Sequence, residues 1–277
     1  MGARRKLRKD ERQARILGEL RASPAIRISE LADDFGVSTE TIRRDLDELS
    51  RQGMLSRTYG GAAARPFGVE PTLSERYKEH VAEREQVGVA AARAVKPGQV
   101  LMIDSGSTNM HFARRLSAEL RDLTAITNSC GIAAVLAANP TVRVVLCPGR
   151  YDPREGSVFG SDSESFLRRF NANLAVIGCS GLTAEGPNDV NPAAAGVKRA
   201  MLARAESNML LLDHSKFGVL TLENVCGLEA IRMIVADRAP TGELARALRR
   251  AGVALEIAGP AEPAAKGLRR ARMRGGG

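Results

Sequence analysis

The chain has 277 residues, with 41 Lys and Arg against 32 Asp and Glu, a formal charge of +9, no tryptophan and 4% aromatic residues. That length holds two or three domains of usual size with ample core, and no unbroken apolar run is long enough for a helical membrane span. So few aromatic rings argue against a surface that stacks single-stranded bases.

The excess charge is uneven. Residues 1–65 carry a net +4, residues 261–277 another +4, and the middle only +1. Basic ends favour attraction to phosphate backbones, and the tail Arg269-Arg270-Ala271-Arg272-Met273-Arg274 reads as solvated and disordered. The basic N-terminus is not followed by the apolar core of a secretory leader, so a cytoplasmic location is expected. Cys130, Cys147, Cys179 and Cys226 are widely spaced, which favours free thiols over a disulfide framework or a metal site.

Taken in order, Arg12 to Leu20 has Ile16, Leu17 and Leu20 at helical spacing, and Ile28 to Phe35 places Ile28, Leu31, Ala32 and Phe35 on one face. Gly36 then permits a tight turn between crossed helices. Ser38 is a natural N-cap for the next helix, in which Ile42, Leu46 and Leu49 form the apolar stripe. Its other surface carries Ser38, Thr39, Thr41, Arg43 and Arg44, hydroxyls and guanidinium forks suited to base edges and phosphates in a major groove. One such helix alone is more often an ordinary solvated face. Gly53 ends it, Leu55 to Tyr59 alternates like a half-exposed strand, and Gly60-Gly61 supplies a turn or a close approach. Three helices followed by a β-ribbon predict a winged helix-turn-helix over 1–65, with Arg57 against the DNA backbone.

Residues 66–74, with Pro66, Gly68 and Pro71, read as a linker. Thr72 to Val95 reads as one charged helix. Over 75–260 short apolar runs then alternate with helices. The strands are Val100–Ile103, Thr124–Thr127, Val142–Cys147, Leu174–Gly178, Met209–Asp213 and Ile231–Val235; the helices are Thr108–Leu116, Gly131–Ala138, Ala193–Ala205 and Gly242–Ala251. This predicts an α/β domain whose mainly parallel sheet is covered on both faces, with ligand beyond the strand C-termini. Three polar ends meet there: Asp104-Ser105-Gly106-Ser107-Thr108 before a helix, Thr127-Asn128-Ser129, and Asp213-His214-Ser215-Lys216. Backbone N–H groups at a helix start together with a cation suit a phosphate. His214 is as well explained as loop support, no metal is expected, and His80 and His111 receive no role.

The run Thr41-Ile42-Arg43-Arg44-Asp45-Leu46 with the later Gly60-Gly61-Ala62 resembles the DNA-binding domain of DeoR-family bacterial regulators. The three polar ends and Val197-Lys198-Arg199-Ala200-Met201 are similar to that family's effector domain. The resemblance implies operator binding, usually repression, and a ribose-phosphate-isomerase-like domain that binds phosphorylated sugars or related metabolites. Carried over by position, the Asp104, Ser105, Gly106, Ser107 and Thr108 loop would hold phosphate, and Asn128 and Lys216 would touch ligand, with Lys198 a weaker candidate. Two departures stand out. Cys147-Pro148-Gly149-Arg150 replaces a frequent Gly-Gly, and Pro192-Ala193-Ala194-Ala195-Gly196 lacks a frequent acid, so ligand identity does not carry over.

The leading expectation is therefore a homo-oligomeric regulator of double-stranded operator DNA, without cofactor or catalytic residue, shifted between two arrangements by a sugar phosphate. Two alternatives remain open at this point. One is a sugar-phosphate isomerase fused to a DNA-binding head, disfavoured because Gly178-Cys179-Ser180-Gly181-Leu182 offers no acid for proton transfer. The other is an architectural DNA binder with an inert second domain.

Overall fold

The computed structural model describes residues 7–23, 25–51, 55–63 and 70–259. Its N-terminal unit comprises α1 (Lys9–Ala22), β1 (Ala25–Arg27), α2 (Ile28–Phe35), α3 (Thr39–Arg51), β2 (Ser56–Thr58) and β3 (Gly61–Ala63). The apolar stripes of the three helices close on one core, in which Ile16, Ile42, Leu46 and Leu49 are essentially inaccessible to solvent. Gly36 turns between α2 and α3 with φ +64°, a left-handed conformation that favours glycine. The wing has three strands rather than two, in the order β1-β3-β2, because the short Ala-Ile-Arg segment β1 pairs antiparallel with β3. Both wing glycines are required. Gly60 makes the turn with φ +79°, and a Cβ on Gly61 would lie 2.0 Å from the Ile26 carbonyl oxygen. The expected stop at Gly53, residues 66–69 of the linker and the tail 261–277 lie outside the described residues.

The chain continues through α4 (Leu73–Arg76), α5 (Val81–Ala92), β4 (Val100–Ile103), α6 (Ser107–Glu119), β5 (Thr124–Thr127), α7 (Cys130–Ala137) and β6 (Arg143–Leu146). The hairpin β7 (Arg150–Asp152) and β8 (Ser157–Phe159) leads to α8 (Ser161–Leu167), β9 (Ala172–Ile177), β10 (Gly181–Thr183), β11 (Gly186–Asp189) and α9 (Pro192–Leu202). Last come β12 (Ala205–Leu212), β13 (Glu223–Asn224), β14 (Met233–Ala236), α10 (Gly242–Arg250) and β15 (Ala254–Ile257).

Seven of these strands form one parallel sheet, in the order β15-β14-β12-β9-β4-β5-β6. Side chains alternate between its faces. Leu101, Ile103, Val176 and Leu211 pack with α5, α6 and α7, whereas Met102 and Ala175 pack beneath α8 and α9, and Leu210 and Ile234 beneath α10. Burial on both faces is why these strands read as continuous apolar runs. The one helix expected over Thr72–Val95 is two, a correction with a visible cause. A continuous helix would hold residues 76 and 84 about 12 Å apart along its axis, whereas here the buried Arg84 guanidinium donates to the Arg76 carbonyl. The chain reverses at His80, whose φ is +50°. Among the described residues no helix is long and apolar enough to cross a membrane.

Candidate functional site

On α3, the Ser38 hydroxyl accepts from the Thr41 N–H at 3.2 Å, so its oxygen serves the helix start, and Thr41 Oγ1 lies 2.9 Å from it. Thr39 is exposed. The side chains of Arg43 and Arg44 are 56% and 79% accessible, and among the described residues each pairs with Glu40, at 3.8 and 3.2 Å. Exposed pairs of this kind contribute little and exchange readily for phosphate. Asp45, beside them in sequence, turns the other way. It is 2% exposed and accepts from Arg12 Nη2 at 3.0 Å, locking α1 to α3. Arg57 is more committed than expected: Nε lies 3.0 Å from Asp47 Oδ1 and Nη1 donates to the Gly61 carbonyl at 3.0 Å, bracing wing against helix. Tyr59 at the wing tip is fully exposed. Its position beside Gly60 was the available signal, and it drew no assignment from sequence.

The second site lies where β4, β9 and β12 end. Ser105, Gly106, Ser107 and Thr108 line a cavity together with Gly178, Ser180, Lys198 and Lys216. Gly106 precedes α6 with φ +123°, which presents the helix N-terminus to the cavity. The other wall comes from a segment the sequence reading took for linker. Glu70 is bound by Lys216, by Arg76 Nη1 at 2.9 Å and by the Ser180 hydroxyl at 2.7 Å. Burial alone would raise its pKa, but Lys216 and Arg76 outweigh that and hold the carboxyl at about 2. What remains is a cavity of about 50 Å³. Two of its lining groups are buried and unsatisfied, Arg76 Nε as donor and Asn109 Oδ1 as acceptor. The Asn109 orientation is fixed by Nδ2, which donates to the carbonyls of Asp104 and Ser105 at 2.9 and 3.1 Å.

Two sequence expectations need correction. Asp104 is fully buried and does not line the cavity: its carboxylate takes Lys198 at 3.0 Å and the Gly178 N–H at 3.4 Å. Asn128 is equally buried, with Oδ1 accepting from the Ser105 N–H and Nδ2 donating to the Val158 carbonyl, each at 3.2 Å. Both support the loop: neither lines the cavity, and each is held by protein partners. Lys198, the weaker candidate, does line the cavity, but its charge is already engaged. It is 4% exposed and bridges Asp104 and Asp189, at 3.0 and 2.8 Å. Burial works against its charge, but the two carboxylates prevail and raise its pKa. Of the other candidates, Ser105, Gly106, Ser107, Thr108 and Lys216 converge on the cavity.

Sequence reasoning also missed the fully buried pair of Arg84 and Asp213, 2.8 Å apart, which ties α5 to the end of β12. Cys179 lines the cavity, but burial pushes its thiol up to about 12.

Residues 12–65 match a DeoR-like helix-turn-helix domain and residues 79–238 a DeoR C-terminal sensor domain. A putative aga operon transcriptional repressor of Escherichia coli O157:H7 is 30% identical over 93% of this chain and 97% of its own length. The glycerol-3-phosphate regulon repressor of Escherichia coli K12 is 27% identical over 91% of this chain and all of its own. The repressor GlcR of Bacillus subtilis is 30% identical over 90% and 96%. Among solved structures, a D-ribose-5-phosphate isomerase in complex with phospho-erythronic acid has a TM-score of 0.37 at 15% identity, over 48% of this chain and 52% of its own. The eIF2B delta subunit of Chaetomium thermophilum has a TM-score of 0.46 at 14% identity, over 82% and 70%.

Proposed function

Because the chain belongs to the DeoR family of transcriptional regulators, we propose that it represses from operator DNA gripped by α3 and its wing, and that a phosphorylated sugar or related anionic metabolite modulates that grip. Thr39, Arg43 and Arg44 read or hold the duplex, with Ser38 and Thr41 shaping the helix start and Arg57 and Tyr59 presenting the wing. One head reads one half-site, so the working form is a cytoplasmic homo-oligomer on paired half-sites.

The observation that carries the effector reading is the counter-ion in the cavity. Lys216 and Arg76 share one carboxylate, Glu70, which follows directly on residues 64–69 between the two domains, while Glu155 also holds Arg76. About 50 Å³ holds a few waters and no sugar phosphate. A sugar phosphate therefore enters by taking the place of the Glu70 carboxylate on the two cations, while its phosphate oxygens accept from the N–H groups before α6 and a sugar hydroxyl donates to Asn109 Oδ1. Glu70, once displaced, releases the segment leading to the DNA head. Ligand and closed segment compete for the same charges, which gives the differential affinity that a population shift needs.

Binding without turnover is part of the reading. Each carboxylate around the cavity has a cationic partner: Asp104 and Asp189 have Lys198, Glu155 has Arg76, and Glu70 has Arg76 and Lys216. A general base needs one free.

The test is a thermal-shift screen of phosphorylated sugars, followed by electrophoretic shift assays on the native upstream DNA with and without each hit. A ligand at a hundred times its Kd stabilises by about 2.7 kcal/mol, and Lys216→Ala should abolish the response. No specific DNA shift at physiological salt, or isomerisation of the hit, would overturn the proposal.

A further inference from the structure

The chain has three histidines, and two of them, far apart in sequence, meet outside the effector cavity. The rings of His80 and His214 make an edge contact with centroids 5.3 Å apart. Glu83 stands one turn along α5 from His80, and one donor atom from each of the three lies within 4.8 Å of the others. All three are partly accessible and line one open surface cleft. We propose that His80, Glu83 and His214 form a binding site for a divalent transition metal of the zinc class.

Three features of the surroundings support this. First, His80 is held with φ +50°, one of two non-glycine residues with positive φ among the described residues. Such conformations cost free energy and collect at functional positions. Second, His214 is already oriented as a metal-bound imidazole would be. Nδ1 lies 2.6 Å from Asp237 Oδ2, while Asp237 Oδ1 accepts from the His214 N–H at 2.6 Å. The carboxylate engages Nδ1, which leaves Nε2 as the nitrogen to bind an ion, the outer-shell arrangement that supports histidine ligands. Third, the neighbouring cations are largely answered: Arg84 is paired with Asp213 and Arg238 with Asp237, leaving Lys78 at the rim of the cleft.

Two imidazoles and one carboxylate, with room for water as a fourth ligand, suit Zn²⁺ and its neighbours over the oxygen-seeking Mg²⁺ and Ca²⁺. A bound ion would fasten the start of α5 to the turn that carries Lys216, two residues beyond His214.

The experiment is a titration of the full, tag-free chain with Co²⁺, followed by displacement with Zn²⁺. We expect one equivalent to bind, with d–d absorption of a nitrogen and oxygen site and no thiolate charge-transfer band. His80→Asn keeps a residue that tolerates the left-handed conformation and should weaken binding at least tenfold. Asp237→Asn should weaken it about 10–100-fold through His214. Thermal unfolding in chelator checks that both variants remain folded. Absence of binding, a thiolate band, or equal affinity in wild type and His80→Asn would each overturn the site.

Discussion

Two side chains adjacent in sequence show how little the residue type alone decides. Arg44 points to solvent while Asp45 is sealed against Arg12, so one is available to DNA and the other holds the helix that presents it. Arg44→Ala should cost about 1–3 kcal/mol of sequence-specific binding if the fork takes a base edge, with thermal stability unchanged; fluorescence anisotropy on specific and scrambled duplexes separates the two. Lys198 makes the opposite case. Lys198→Met leaves the buried carboxylates of Asp104 and Asp189 without their shared cation, and loss of one member of such a cluster costs about 3–5 kcal/mol, measurable by urea unfolding. Glu70 adds a pH signature. Its folded pKa, about 2, lies below the ordinary 4.5. Its contribution is thus complete above 4.5 and fades as pH falls toward 2. Unfolding measured across that window should show a slope that Glu70→Gln reduces.

At the scale of elements, legibility followed burial. The core strands β4, β5, β9, β12 and β14 announced themselves because apolar side chains cover both faces, and α2 and α3 because one stripe repeats at helical spacing. The sequence was silent where pairing rather than burial makes the strand. β1 is three residues long and exists only through its partner β3, while β11 is Gly-Pro-Asn-Asp. The corner between α4 and α5 hid for another reason: charges that look like a solvated face, Arg76 and Arg84, are buried and paired across long sequence separations with Glu155 and Asp213. The same blindness concealed Glu70. Composition marks Pro66 to Pro71 as connector, and nothing local reveals that its acid ends between Lys216, in the turn after β12, and Arg76 of α4. Gly61→Ala tests the wing directly. The added methyl meets the Ile26 carbonyl at 2.0 Å, so the strands must separate, with weaker operator binding and reduced helix-head stability by circular dichroism.

Considered whole, the chain joins a small helical head to a sheet domain through a segment whose far end is itself a cavity wall. If ligand displaces Glu70 and so weakens the grip on DNA, operator DNA must weaken ligand binding by the same factor, because coupling free energies are reciprocal. Couplings of this kind amount to about 1–3 kcal/mol, or roughly 5–150-fold. Calorimetric titration of ligand into the free protein and into its operator complex should therefore give two affinities whose ratio equals the ratio of operator affinities with and without ligand. Glu70→Gln should bring both ratios toward one.

If ligand must displace the glutamate seated between Lys216 and Arg76, that glutamate would also decide what the protein ignores. A carboxylate fastened to its own chain competes at a high effective concentration, commonly in the millimolar range for short tethers. Free inorganic phosphate brings charge and nothing else, so it should fail to evict that carboxylate and yet bind readily once Glu70→Gln has removed the rival. A metabolite succeeds only by adding hydroxyl contacts to its charge, which makes the resident acid a filter against the bulk anions of the cell.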